Sequence, residues 1–158
     1  MVAANEKTVM NHSPIDYATH APEAFQHLLK LSGQLHKGPL GHKLVELISL
    51  RVSQINGCVY CLDMHSAALR KAGVAQRTLD TLPAWRESQL FNERERAALG
   101  WAEAMNRIGM SPIPEDALDA LRPHFDEREI SELTFTVAMI TAWNMLNVGL
   151  HKPLPEAV

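Results

Sequence analysis

A chain of 158 residues, 46% of them hydrophobic, is long enough to close a single domain around its own core without disulfide or metal staples. Fifteen Lys+Arg against eighteen Asp+Glu give a net charge of −3 with no basic run, which argues against a nucleic-acid or anionic-membrane binder. The start, Met1-Val2-Ala3-Ala4-Asn5-Glu6-Lys7, lacks an apolar signal core, and the most apolar stretch, 133–150, is broken by Thr134, Thr136, Thr141, Asn144 and Asn147, so a soluble cytoplasmic protein is expected.

In chain order, residues 1–20 have no helical periodicity and include Pro14, so they read as an extended N-terminal arm, with a disordered tail as the alternative, ahead of a helical domain over 21–158. Pro22 suits the first turn of a helix to about Leu35 that carries Phe25, Leu28, Leu29 and Leu31. Gly38-Pro39 then breaks the chain. From Leu40 to Ile55 the apolar residues Leu44, Val45, Leu47, Ile48, Leu50, Val52 and Ile55 cover so much of the circumference that the helix must be largely buried, with Glu46 in its middle. The next helix starts near Gly57 and runs to about Ala72, where Gly73 supplies a left-handed cap and Arg70 and Lys71 suit the C-terminal dipole.

A short helix from Gln76 to Leu82 stops at Pro83. Asn92 and Glu95 form a capping-box start for a helix to Gly109, with Leu99, Trp101, Ala102, Met105 and Ile108 as its core stripe. Pro112 and Pro114 open another short helix through Leu118 and Leu121, closed by Pro123. Asp126 and Glu129 cap the last and longest helix, Glu127 to about Leu150. No useful alternating strand pattern occurs, so the expected fold is all-α, a single-domain bundle of about seven helices.

Chemistry concentrates between Gln54 and Leu69. In a helix starting near Gly57, Cys58 and Cys61 are i,i+3 neighbours and Cys61 and His65 are i,i+4 neighbours, so all three side chains share a face. A dithiol beside an imidazole is a redox constellation, since a thiol attacks as the thiolate, and both a histidine and a helix N-terminus favour that form. Cys61, one turn inside the helix and one turn before His65, is therefore expected to be the more acidic thiol, below the ~8.5 of a free cysteine. If the chain turns back near Asn56-Gly57, Glu46 faces His65 rather than Cys58, where a carboxylate fixes the imidazole tautomer.

Other readings are weighed beside this one. A thioredoxin-type fold needs a strand before the cysteine pair, and helix-period residues stand there instead. Covalent haem needs histidine directly after the second cysteine, where Leu62 stands. Zinc on Cys58, Cys61 and His65, with Glu46 or His42 as a fourth ligand, stays open. So do a Glu46 on a solvated stripe and cysteines that merely pack, the latter weakened by the polar Gln54, Asn56 and Asp63 around them.

The spacing Glu46, eleven residues, Cys58, two residues, Cys61, three residues, His65 resembles the active-site signature of AhpD-like alkylhydroperoxidases in the carboxymuconolactone decarboxylase family. The segments RVSQINGCVYCLDMH (51–65), LPAWRESQLFNERERAAL (82–99) and AWNMLNV (142–148) resemble the family's core, following and final-helix segments. The resemblance implies an all-helical fold, trimers or hexamers, and thiol-dependent reduction of alkyl or hydrogen peroxide. It makes Cys61 the peroxidatic cysteine, Cys58 the resolving thiol, His65 the base and Glu46 its support in a proton relay. Tyr60 and Asn144 are supporting candidates.

No bound cofactor or metal is expected; an external dithiol must reopen the disulfide, and the resemblance implies that it can be a dihydrolipoyl group on a carrier protein. Tyr60 stands where a second histidine is found in the family's best-characterised form, and Met145 where an arginine is common. Members that decarboxylate a lactone lack the cysteine pair. A general disulfide oxidoreductase and a non-enzymatic redox or zinc-binding protein are the alternatives. The last helix, with Ile130, Leu133, Phe135, Val137, Met139, Ile140, Trp143, Leu146 and Val148, carries more apolar positions than one core stripe needs, so a homo-oligomer is expected.

Overall fold

The computed structural model describes residues 14–154; the remaining terminal residues, including most of the expected arm, lie outside the described residues. Among the described residues the chain forms seven α-helices, one 3-10 turn and no strand, the all-α class expected. The end of the arm is not extended. Asp16 accepts from the Ala18 amide at 3.1 Å and starts a one-turn helix, α1 (Tyr17–His20), while the Ile15 amide donates to the Leu150 carbonyl at 3.2 Å and clips this turn to the far end of the domain.

Helix α2 (Pro22–His36) begins on Pro22, whose missing N–H would have no helical partner there in any case. Helix α3 (His42–Asn56) ends on Gly57, which takes the left-handed conformation at φ 68° that a side chain would resist. The reversal is complete within two residues, so α4 (Val59–Lys71) returns antiparallel along α3. Gly73, at φ 82°, follows its end as expected. Helix α5 (Gln76–Thr81) runs into a 3-10 turn at Leu82–Ala84, and α6 (Glu93–Asn106) and α7 (Glu127–Gly149) each start with a complete capping box.

Two expected features differ. Helix α6 stops at Asn106, and Ile108 is exposed rather than part of its stripe. The segment expected to be helical between Pro112 and Pro123 is a succession of turns, closed by amides such as Ala117 to the Pro114 carbonyl and Leu121 to the Leu118 carbonyl. Prolines at both ends leave too few amides for an α ladder, and the burial of Leu121 and Phe125 anchors the turns instead.

Helix α3 is the axis of the domain and packs against α2, α4, α6 and α7. Leu47, Ile48 and Leu50 from α3, Leu69 from α4, Leu99 from α6, and Leu133 and Ile140 from α7 are all buried in one core. Shortening any of these leucines to alanine would cost about 2–5 kcal/mol. Glu46, Ser49 and Ser53 are buried on the same helix, and polar groups placed there need partners.

Candidate active site

Because α3 and α4 form a tight antiparallel hairpin, Glu46 reaches His65 across it: Glu46 Oε2 lies 2.6 Å from His65 Nδ1. Its other oxygen, Oε1, lies 2.8 Å from His36 Nε2, delivered from the end of α2. Burial works to raise the Glu46 pKa, but the hydrogen bonds from the two histidines outweigh it and hold the carboxyl at about 2. The group is thus an anion that only accepts.

The tautomers follow. His65 must carry its proton on Nδ1 to donate to Glu46, which leaves the lone pair of the neutral ring on Nε2. That Nε2 is buried and has no hydrogen-bond partner among the described residues. His36 has acceptors at both nitrogens, the Ser32 carbonyl 2.7 Å from Nδ1 and Glu46 at Nε2, so its ring is an imidazolium when both bonds are made. The bond to Glu46 accordingly raises the His36 pKa above the usual histidine value, against the opposing effect of burial.

Both cysteines are free thiols and buried. Cys58 is the N-cap residue of α4, its Sγ accepting from the Cys61 amide at 3.3 Å. Asn147 of α7 donates Nδ2 to Cys61 Sγ at 3.2 Å and accepts from Tyr17 Oη at 2.8 Å through Oδ1. Asn144 accepts from Asn56 at 3.0 Å and donates to Ser53 Oγ at 3.0 Å, tying α7 to α3 beside the thiols.

The expected acidity of Cys61 is corrected. Burial, helped by the neighbouring Cys58 thiol, pushes the Cys61 thiol up to about 12, with Asn147 and Asn144 pulling only partly the other way. Helix position alone overlooked the desolvation.

Two cavities meet at this hairpin. One, about 560 Å³, is walled by apolar Phe25, Leu29, Met139 and Trp143 and reaches Cys61, His65 and Glu46. The other, about 320 Å³, reaches Cys58 and is bordered by Val148 and Lys152. Tyr60 lines both, with the Lys152 ammonium 5.6 Å above its ring. Met145 is exposed, so the contact of the final helix with the thiols comes from Asn147 and Asn144.

A family model describing the carboxymuconolactone decarboxylase family matches residues 22–104. The chain belongs to the carboxymuconolactone decarboxylase family. It is similar over nearly its whole length to ATU0492 of Agrobacterium tumefaciens, a protein of unknown function for which a role as the antioxidant defence protein AhpD has been suggested. The two are 37% identical with a TM-score of 0.87, covering 92% of this chain and 99% of that one. The uncharacterised protein YnjA of Escherichia coli (strain K12) is 32% identical over 144 residues, 89% of this chain and 78% of its own. Alkyl hydroperoxide reductase AhpD of Streptomyces griseus is 62% identical over 34 residues, 22% of this chain and 19% of AhpD. The family read from the sequence is therefore the family matched.

Sequence reasoning overlooked His36, Tyr17 and Asn147 as site residues. His36 sits across the Gly38-Pro39 break from its partner, so helix periodicity could not pair them. Asn144 and Asn147 did carry a signal: two amides three residues apart mark one polar face on an apolar helix. Among the described residues, the donor atoms that lie within 4.8 Å of one another are those of His36, His42 and Glu46, not the cysteine set considered for zinc.

Proposed function

We propose that this protein is a thiol-dependent peroxidase that prefers organic hydroperoxides. The observation that carries the reading is His65, locked to Glu46 through Nδ1 and holding a bare Nε2 in the cavity that Cys61 also lines. Cys61 rests as a protonated thiol, so a base must act during attack. His65 Nε2 takes the thiol proton as Sγ attacks the distal peroxide oxygen. The O–O bond breaks, and the imidazolium returns the proton to the departing alkoxide, giving an alcohol and a Cys61 sulfenic acid. Glu46 stabilises the transient positive ring.

Cys58 Sγ then attacks the sulfenic sulfur, releasing water and forming the Cys58–Cys61 disulfide before further oxidation can occur. An external dithiol, such as a dihydrolipoyl carrier, reopens the disulfide by exchange from the Cys58 side, where the second cavity lies. One hydroperoxide and one dithiol thus yield one alcohol, one water and one disulfide. The cycle needs reduced thiols at rest and fits a reducing compartment such as the cytoplasm. The apolar wall of the cavity supports organic hydroperoxides over hydrogen peroxide, since an alkyl group gains about 25 cal/mol per Å² on leaving water.

A consumption assay with cumene hydroperoxide and hydrogen peroxide, run against several dithiols, tests this. The expected result is stoichiometric alcohol formation, with kcat/KM higher for the organic substrate by about 10-fold or more, a difference of about 1.4 kcal/mol. Rapid dithiol–disulfide exchange without peroxide consumption would replace this reading with that of a general disulfide oxidoreductase.

A further inference from the structure

We propose that His36, His42 and Glu46 form a binding site for a divalent first-row cation of the zinc class. His36 closes α2 and His42 opens α3, so the turn around Gly38-Pro39 brings both imidazoles over Glu46, one helical turn further on. Glu46 Oε1 lies 2.8 Å from His36 Nε2 and 4.0 Å from His42 Nε2, and the three donor atoms lie within 4.8 Å of one another. In a tetrahedral zinc site with bonds of about 2.0–2.1 Å, donor atoms stand roughly 3.3 Å apart. The observed distances bracket that value, and the exposed side chain of His42 has freedom to adjust.

The surroundings are those that orient metal ligands. His36 Nδ1 is fixed on the Ser32 carbonyl, which aims Nε2 inward, and Glu46 Oε2 is fixed on His65, which leaves Oε1 for the cation. A proton or a metal ion can occupy the line between His36 Nε2 and Glu46 Oε1, so binding exchanges one for the other. Two imidazoles and a carboxylate suit zinc or cobalt, and the exposure of His42 leaves a fourth position for water. Occupancy would place two positive charges on the carboxylate that holds His65.

The test is titration of the reduced, full-length protein with Co²⁺ followed by calorimetry and visible absorption, which does not depend on peroxide turnover. The expected result is one Co²⁺ per chain, with ligand-field bands and no thiolate charge-transfer band. Binding should persist in the Cys58→Ser/Cys61→Ser variant. It should weaken more than about 100-fold in His42→Ala, beyond what even the outer partners of a ligand contribute. His42 is exposed, so circular dichroism of His42→Ala should match the parent. A thiolate charge-transfer band, loss of binding with the cysteines, indifference to His42→Ala, or no binding up to millimolar Co²⁺ would each overturn the proposal.

Discussion

Asn147 donates its side-chain amide to Cys61 Sγ at 3.2 Å, joining residues 86 positions apart in the chain. This bond opposes the burial that raises the thiol, so Asn147→Leu should push the Cys61 pKa further up. One net hydrogen bond is worth about 0.5–1.5 kcal/mol, so alkylation of Cys61 by iodoacetamide at fixed pH should slow up to about 10-fold. An unchanged rate would mean that the amide positions α7 without acting on the sulfur.

Glu46→Gln should keep the fold, because the new oxygen can still accept from His65 Nδ1 while the new amide donates to a neutral His36. The ability to form the Cys58–Cys61 disulfide with a chemical oxidant should survive. Peroxide consumption should fall by about 10²-fold, the lower range for lost acid–base assistance. A rate near that of the parent would remove Glu46 from the proposed relay.

The two thiols should separate by trapping. With one equivalent of hydroperoxide, Cys58→Ser should accumulate a Cys61 sulfenic acid that a dimedone reagent labels, since no resolving thiol is left. Cys61→Ser should react far more slowly. Mass spectrometry that finds dominant labelling of Cys58 would reverse the two roles.

Acid stability should be governed in part by Glu103. It is buried and accepts from Arg51, Arg86 and Trp85, and although burial works to raise its pKa, these bonds hold it below the usual 4.5. A carboxyl depressed on folding adds stability that is full above its unfolded value and is lost as pH falls through the folded one. Denaturant unfolding of the parent should therefore weaken below about pH 4.5, whereas Glu103→Gln should show a flatter acid limb. At neutral pH that variant should lose about 3 kcal/mol, the lower range for breaking a buried pair.

Assembly should run through α7. Phe135, Ala138 and Met145 are exposed along one side of this helix, at the spacing of a continuous stripe with the half-buried Ala142 between them. The parent is expected to give a trimer or hexamer by light scattering, and Phe135→Asp/Met145→Asp should give monomers. A monomeric parent at micromolar concentration would defeat this proposal.

Much of the fold was legible because its signals are local. Capping boxes at Asn92 and Asp126, Pro22 at a helix start, and glycines at 57 and 73 set the helix limits within a few residues. The 112–123 segment misled because its prolines signal both helix starts and turns. Within the site, Glu46 and His65 were legible because a two-residue turn fixes the register of α3 against α4. His36 and Asn147 come from α2 and α7, and the elevated Cys61 pKa depends on its burial in the packed domain. Such quantities belong to the packed molecule and have no sequence spacing.

The sulfur that caps α4 also gives that helix a memory of electron count. Cys58 Sγ holds the Cys61 amide at the first turn, and a sulfur engaged in a disulfide carries less negative charge to attract that N–H. The hydrogen bond into the first turn is therefore strongest when the dithiol is reduced, whereas the disulfide replaces it with a covalent tie between the same two residues. By thermodynamic reciprocity, anything that favours the hydrogen-bonded geometry of this turn draws the pair toward its thiols, and anything that disfavours it favours their oxidation. A docking protein would then shift the redox poise of the hairpin without touching either sulfur.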